Sequence, residues 1–204
     1  MAGINRTKVI NAALMRAGAH GVNNAFEGSS AAQTAAAAYL RTLDFVLSLY
    51  PWTFAMRLAL LPRSAESPAW GGAYAYSLPA DCVRLCEVRI WPGEEIPSSD
   101  AILRFPSPKY SIVGRELVTD ADAIAVSYVS NNDVITPSES FLDALEWRLA
   151  FEIAQYVEQG NNAGNFLQLY EQALDMAKMQ NDAQENPERV RPAYESRLIA
   201  ERFN

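Results

Sequence analysis

The stretch Leu43–Pro62, LDFVLSLYPWTFAMRLALLP, joins two hydrophobic periodicities with no spacer between them. Up to Tyr50 the apolar residues fall at Tyr39/Leu40, Leu43, Val46/Leu47 and Tyr50, the spacing of one helix face. Pro51 then disfavours helical dihedrals at the residue before it. From Trp52 the pattern becomes alternation, with Trp52, Phe54, Met56, Leu58 and Leu60 on one side, which predicts a strand with one buried face. A long helix therefore turns directly into a strand. Trp52 and Phe54 stand at the corner, where burying area is the expected role of such rings.

Upstream of the junction the chain reads as helix. A first helix is predicted over about Thr7–Ala17, capped by Thr7 or Asn5, with Val9, Ile10, Ala13, Leu14 and Ala17 as its apolar stripe and Gly18 and Gly21 as its stop. After a polar loop anchored by Phe26, Ser30 and Gln33 form a capping box for a second helix that runs to Tyr50. Its alanines suit either close approach of a neighbouring helix or a low-cost exposed face.

Downstream, residues 52–130 carry β signals. Strands are predicted at Trp52–Leu60, Tyr74–Leu78, Cys82–Ile90, Ala101–Phe105 and Ala123–Val129. Tyr110–Thr119 adds a hairpin with Gly114 at the first position of a II′-type turn. Strands without intervening helices imply an antiparallel sheet or small sandwich. The loop 91–100 is a candidate for partner contacts. A third helix is announced by Thr136 as cap, Pro137, and Glu139 as the acid of a capping box, and Gly160 ends it. A fourth helix runs to about Asn186 before Pro187, antiparallel to the third because the connection is short. The expected fold is thus α+β: a four-helix bundle built from N- and C-terminal helix pairs (1–51 and 131–186), an inserted antiparallel β module (52–130) and a C-terminal arm (187–204).

Composition narrows the function. A net charge of −7 and a pI near 4.8 over 204 residues argue against a protein that wraps nucleic acid over its whole surface. No apolar run reaches membrane-spanning length, and the first residues lack a signal-peptide core, so a cytoplasmic origin is expected. On one regular strand Cys82 and Cys86 would lie roughly 13 Å apart on the same face, too far for a disulfide. His20 is the lone histidine, which leaves no recognisable zinc set or Ser-His-Asp triad and no metal or cofactor to expect. No phosphate-binding glycine loop or nucleophile elbow occurs. The pairs Glu94–Glu95 and Asp120/Asp122 read as solvated acids, so the expectation is a protein that is not an enzyme.

The last eighteen residues differ in character, with four arginines against three glutamates and the large apolar residues Tyr194, Leu198, Ile199 and Phe203. Tyr194, Leu198 and Arg202, with Ile199 and Phe203, suit one short amphipathic helix that folds onto a partner, the alternative being a frayed terminus.

Several motifs in this order carry a resemblance: YPWTFAMRLALL after the second helix, AYSLPADCVRLCEV, YSIVGRELVTDADAIAVSYV, FLDALEWRLAFEIA and YEQALDMA. Together they cover nearly the whole chain, and the chain resembles the head-to-tail adaptor (tail tubular protein A) family of short-tailed bacteriophages. The resemblance implies a structural virion protein at the head–tail junction, assembled in the host cytoplasm. It implies a homo-oligomer, a twelve-membered ring templated by the portal, with a free monomer compatible. The helices would face the portal and the β portion the tail nozzle, with tail fibres attaching near that junction and double-stranded DNA passing through the ring. The portal-docking arm would carry Arg189, Arg191, Tyr194, Arg197, Leu198, Ile199, Arg202 and Phe203. An acidic lumen would repel phosphates and let DNA slide. The rival expectation is a non-viral helical-bundle interaction module without catalytic activity.

Overall fold

The computed structural model describes residues 4–18, 30–96, 98, 104–132, 136–157 and 163–184. Helix α1 spans Arg6–Arg16 and is capped by Asn5, whose Oδ1 accepts from the Lys8 N–H at 3.1 Å. Helix α2 spans Ser30–Ser48. Two further helices follow the β region, α3 over Glu139–Val157 and α4 over Ala163–Gln184. The cap of α3 is Ser138, whose Oγ accepts from the Phe141 N–H at 3.3 Å, so the helix starts two residues later than the Thr136 capping box predicts. Ser138 competes successfully because its hydroxyl sits three residues before a free N–H of the first turn.

Among the described residues, six strands form two three-stranded antiparallel sheets. The first orders β1 (Met56–Leu60), β6 (Ile124–Ser130) and β3 (Cys82–Ile90), with β6 in the middle. The second orders β2 (Tyr74–Ser77), β5 (Glu116–Thr119) and β4 (Tyr110–Val113). Every residue of β6 is buried because both faces of its sheet are covered. Val129 faces the helices. Ile124, Val126 and Tyr128 face the second sheet through Tyr76 and Leu117. The layers are therefore helices, middle sheet and outer sheet.

This corrects the expected four-helix bundle with an inserted β module. Helix α3 is the hub: α1, α2 and α4 each pack on it, and α4 lies along α3 with little contact to α1 or α2. The helices do not enclose a core of their own. Trp52, Ala55, Val129, Phe141 and the apolar faces of all four helices form one continuous core, with Met56, Val83 and Cys86 of the middle sheet packed against it. Alternation over Trp52–Leu60 predicted a strand with a single buried face. It held no information on whether that face meets another sheet or the helices.

The corner between α2 and β1 differs from the sequence reading in a second way. Residues Thr53–Ala55 form a 3-10 turn, and the strand begins at Met56. Trp52 is fully buried, and its Nε1–H donates to the Val46 carbonyl at 3.0 Å. That carbonyl lies in the last turn of α2, where it also accepts the Leu49 N–H at 3.3 Å in place of a regular helical donor. Phe45 O accepts from Ser48 Oγ at 2.7 Å, and Ser48 O accepts from the Arg84 guanidinium of β3 at 2.9 Å. The arginine also places positive charge at the negative end of the helix. The Trp52 ring meets Phe141 edge-on at 5.0 Å between centroids, and Phe54 meets Phe141 at 4.9 Å. Asn181 of α4 locks the turn from the other side: its Oδ1 accepts from the Thr53 N–H at 2.8 Å and from Thr53 Oγ1 at 3.0 Å.

Strand β3 shifts register between Cys82 and Arg84 and again between Leu85 and Glu87. Each bulge inserts one residue and reverses the facing of the residues beyond it. Cys82 consequently packs toward the outer sheet and Cys86 toward the helices, so the two thiols do not share a strand face; both are free. In the outer sheet the hairpin forms as its pattern predicts, with Gly114 at φ 62°. A Cβ on Gly72 would stand 2.7 Å from the Thr119 carbonyl carbon, so this position has room for hydrogen alone.

Trp52→Ala is expected to cost about 3–5 kcal/mol, the range for deleting a large buried aromatic, because it opens a cavity and removes a buried hydrogen bond to the Val46 carbonyl, which keeps only the longer one from the Leu49 N–H. Urea denaturation of both proteins measures this. A loss below about 1 kcal/mol would show that the corner does not depend on the indole.

Candidate interaction surface

Two guanidinium groups tie the helical layer together. Arg16, in the last turn of α1, reaches α3, where Nη2 lies 2.7 Å from Asp143 Oδ1 and 2.6 Å from Glu146 Oε2. Its guanidinium also stands 4.4 Å from the centre of the Trp147 ring. Asp143, Glu146 and Trp147 share one face of α3 by their i, i+3, i+4 spacing. Burial raises the Glu146 carboxyl above its usual range, and Arg16 opposes that shift.

Arg148 does the same between α2, α3 and α4. Its guanidinium lies 4.8 Å from the Phe45 ring, 5.0 Å from Phe151 and 5.6 Å from Tyr170. Nη2 holds Glu152 at 2.9 Å, one helical turn on, and Glu152 also takes Arg41 of α2 at 3.2 Å. Tyr170 is buried and its hydroxyl has no hydrogen-bond partner among the described residues. Burial pushes its phenol up to about 12, with Arg148 opposing.

On this rigid frame, several large apolar side chains stay exposed. One set is Leu169, Met176 and Met179 on α4. Their seven- and three-residue spacings align them on one stripe, away from the face that Tyr170, Leu174 and Ala177 bury against α3. A second set is Tyr110, Ile112 and Val113 on β4, one of the two edge strands of the outer sheet. Edge strands present unpaired backbone groups, and apolar side chains beside them favour an added partner. Other exposed apolar side chains are more scattered: Met15 on α1, Leu40, Phe45 and Leu49 around α2, and Trp70 and Ile96 in loops. The α4 stripe and the β4 edge belong to layers on opposite sides of the middle sheet.

The residues singled out from sequence distribute differently. The arm residues Arg189, Arg191, Tyr194, Arg197, Leu198, Ile199, Arg202 and Phe203 lie outside the described residues, as does His20. Glu94 and Glu95 are exposed, and Asp120 accepts the Ala73 N–H at 3.0 Å, an ordinary loop-holding bond. The predicted strand Ala101–Phe105 falls partly outside the described residues; Arg104 and Phe105 form a bend, with Phe105 packed edge-on against Trp91 at 4.8 Å. Among the described residues no group of three or more His, Cys, Asp or Glu could hold a metal, and no helix is long and apolar enough to cross a membrane. Sequence reasoning missed the α4 stripe. Met176 and Met179 were legible as apolar and helical, but which side α4 turns to α3 depends on packing.

Comparison with known proteins finds no matching family model and no matching curated protein.

Tyr170 gives the frame a pH signature. Its folded-state pKa lies above the unfolded value near 10, so its contribution is complete below pH 10 and is lost as pH rises toward 12. The loss amounts to about 2–3 kcal/mol at most. Tyr170→Phe is expected to flatten the fall in urea midpoint over that window and to leave stability at pH 7 nearly unchanged, since no hydrogen bond is removed. Identical slopes for the two proteins would mean that the phenol titrates as if exposed.

Proposed function

We propose that this chain is a subunit of a head-to-tail adaptor, a structural virion protein that forms a ring between portal and tail nozzle and lets double-stranded DNA pass. The observation that supports this reading best is the pair of exposed apolar surfaces on opposite sides of the middle sheet, one on a helix and one on a strand edge. Exposed apolar patches mark interaction sites, and a subunit that bridges two different rings needs two of them. A closing ring also needs head-to-tail contacts between unlike surfaces of neighbouring copies. The motifs that resemble the adaptor family supply the assignment of the helical side to the portal and the β side to the nozzle.

In this reading the role is structural and uses no catalytic group. The segment 187–204 docks along portal subunits through Arg189, Arg191, Arg197 and Arg202, with Tyr194, Leu198, Ile199 and Phe203 as apolar anchors. The subunit works at the head–tail junction of the virion and reaches it from the host cytoplasm during assembly.

The test is the mass of the complex formed with the cognate portal ring, for the full chain and for a form ending at Asn186. Twelve copies added by the full chain and none by the shorter form are expected. Binding by both would place the portal contact in the helical layer, and binding by neither would overturn the adaptor reading.

A further inference from the structure

We infer that β4 is a self-pairing edge: two copies of this chain join antiparallel through Tyr110–Val113 and make one continuous outer sheet. The fold leaves this edge open. On the other side of the outer sheet, residues 62–64 close β2, with the Ser64 N–H donating to the Ala75 carbonyl at 2.8 Å and the Ser77 N–H to the Pro62 carbonyl at 3.4 Å. No such bonds run along β4 among the described residues. The apolar face loses its cover at the same place. Tyr76, Leu117 and Ile112 form one row across the outer sheet, and their exposures are 1%, 0% and 50%. Tyr74, Thr119 and Tyr110 form the next row on that face, with Tyr110 42% exposed. The face that the middle sheet buries under β2 and β5 therefore continues uncovered onto β4.

The occupant is a second copy because the strand complements itself in a single register. The tight turn of Gly114 and Arg115 makes Val113 and Glu116 a hydrogen-bonded pair, and bonded and non-bonded pairs alternate from there along the hairpin. Ser111 and Val113 thus direct their backbone groups to β5, and Tyr110 and Ile112 turn theirs outward. A two-fold axis at Ser111 sets Tyr110 of each copy opposite Ile112 of the other, so the outward groups meet and each pair exchanges both of its backbone bonds. On the apolar face it places an aromatic ring beside a β-branched side chain, once for each copy. The neighbouring registers fail. An axis at Tyr110 brings Ile112 opposite Pro108, which has no N–H to donate. An axis at Ile112 brings Tyr110 opposite the turn residue Gly114, and Lys109 opposite Arg115, like charge on like. Charge favours the Ser111 axis as well. Lys109 of one copy then lies across Val113 from Glu116 of the other, two strand spacings or about 9–10 Å away and within the combined reach of the two side chains. The hydrogen bond that Glu116 accepts, from the Ser64 hydroxyl at 2.9 Å, comes from a neutral donor and leaves its charge uncompensated. The pairing does not rest on the adaptor reading: neighbours in a closed ring meet through unlike surfaces, so a two-fold contact belongs to the free subunit.

So short a strand buries little area, which makes the dimer one of the weak, concentration-dependent class. Sedimentation equilibrium of the full chain is expected to show the mean mass rising from 22.5 kDa toward twice that value over roughly 5–500 μM, while Ile112→Lys holds it at 22.5 kDa. Single cysteines in the full chain test the register. At the axis Ser111 stands opposite its own counterpart as a non-hydrogen-bonded pair, with Cα atoms about 4.5 Å apart and inside disulfide range. Val113 stands roughly 13 Å from its counterpart. With oxidised glutathione, Ser111→Cys is therefore expected to form disulfide-linked dimers about tenfold faster than Val113→Cys or the unaltered chain, which carries Cys82 and Cys86 alone. A mass that does not change with concentration overturns the inference and leaves the edge to a strand of a different partner. So does association that survives Ile112→Lys, and so does cross-linking that is equal, or absent, in the two cysteine variants.

Discussion

The indole of Trp52 is the group on which the remaining elements depend. It is fully buried where α2 ends and the middle sheet begins, and it touches what each side needs. Its N–H satisfies a last-turn carbonyl of α2, and its ring packs on Phe141 at the start of α3. Asn181 fixes the adjoining 3-10 turn from α4. Three helices and one strand thus converge on a single short corner. A buried indole without its hydrogen bond, or a helix end without its acceptors filled, would cost more than the ring contacts return.

Charge acts on the same frame in a different way. Arg16 and Arg148 are mostly shielded from water, and each lies against an aromatic ring while holding carboxylates. Such groups contribute little if solvated, but removing one partner strands a charge in a poor solvent for it. They therefore specify which helix faces meet. Among the described residues, the stripe of α4 and the edge of β4 are the faces that this arrangement leaves without a covering layer.

Much of the local structure was legible. The capping residue Asn5, the stripe of α1, the hairpin around Gly114 and the extent of β3 all follow from residues close in sequence. Caps and turns are short-range devices, so a window of a few residues contains the whole interaction. The errors arose where two neighbouring signals competed or where the partner was distant. Ser138 displaced Thr136 as the cap of α3. Residues Thr53–Ala55 left the alternating pattern because Asn181, far along the chain, bonds Thr53. The two bulges of β3, invisible in a pattern of apolar letters, sent Cys82 and Cys86 to opposite faces.

The sequence by itself determined the classes of element, their order and the abrupt helix-to-strand junction, because hydrophobic period and turn chemistry are local properties. Tertiary structure decided how the layers stack. It made α3 the hub, gave the helices and the middle sheet one shared core, and left the stripe of α4 and the edge of β4 uncovered. An apolar face records that it must be buried, but not against what. That choice is made by shape, by side-chain hydrogen bonds across long sequence separations and by which surfaces run out of partners within one subunit.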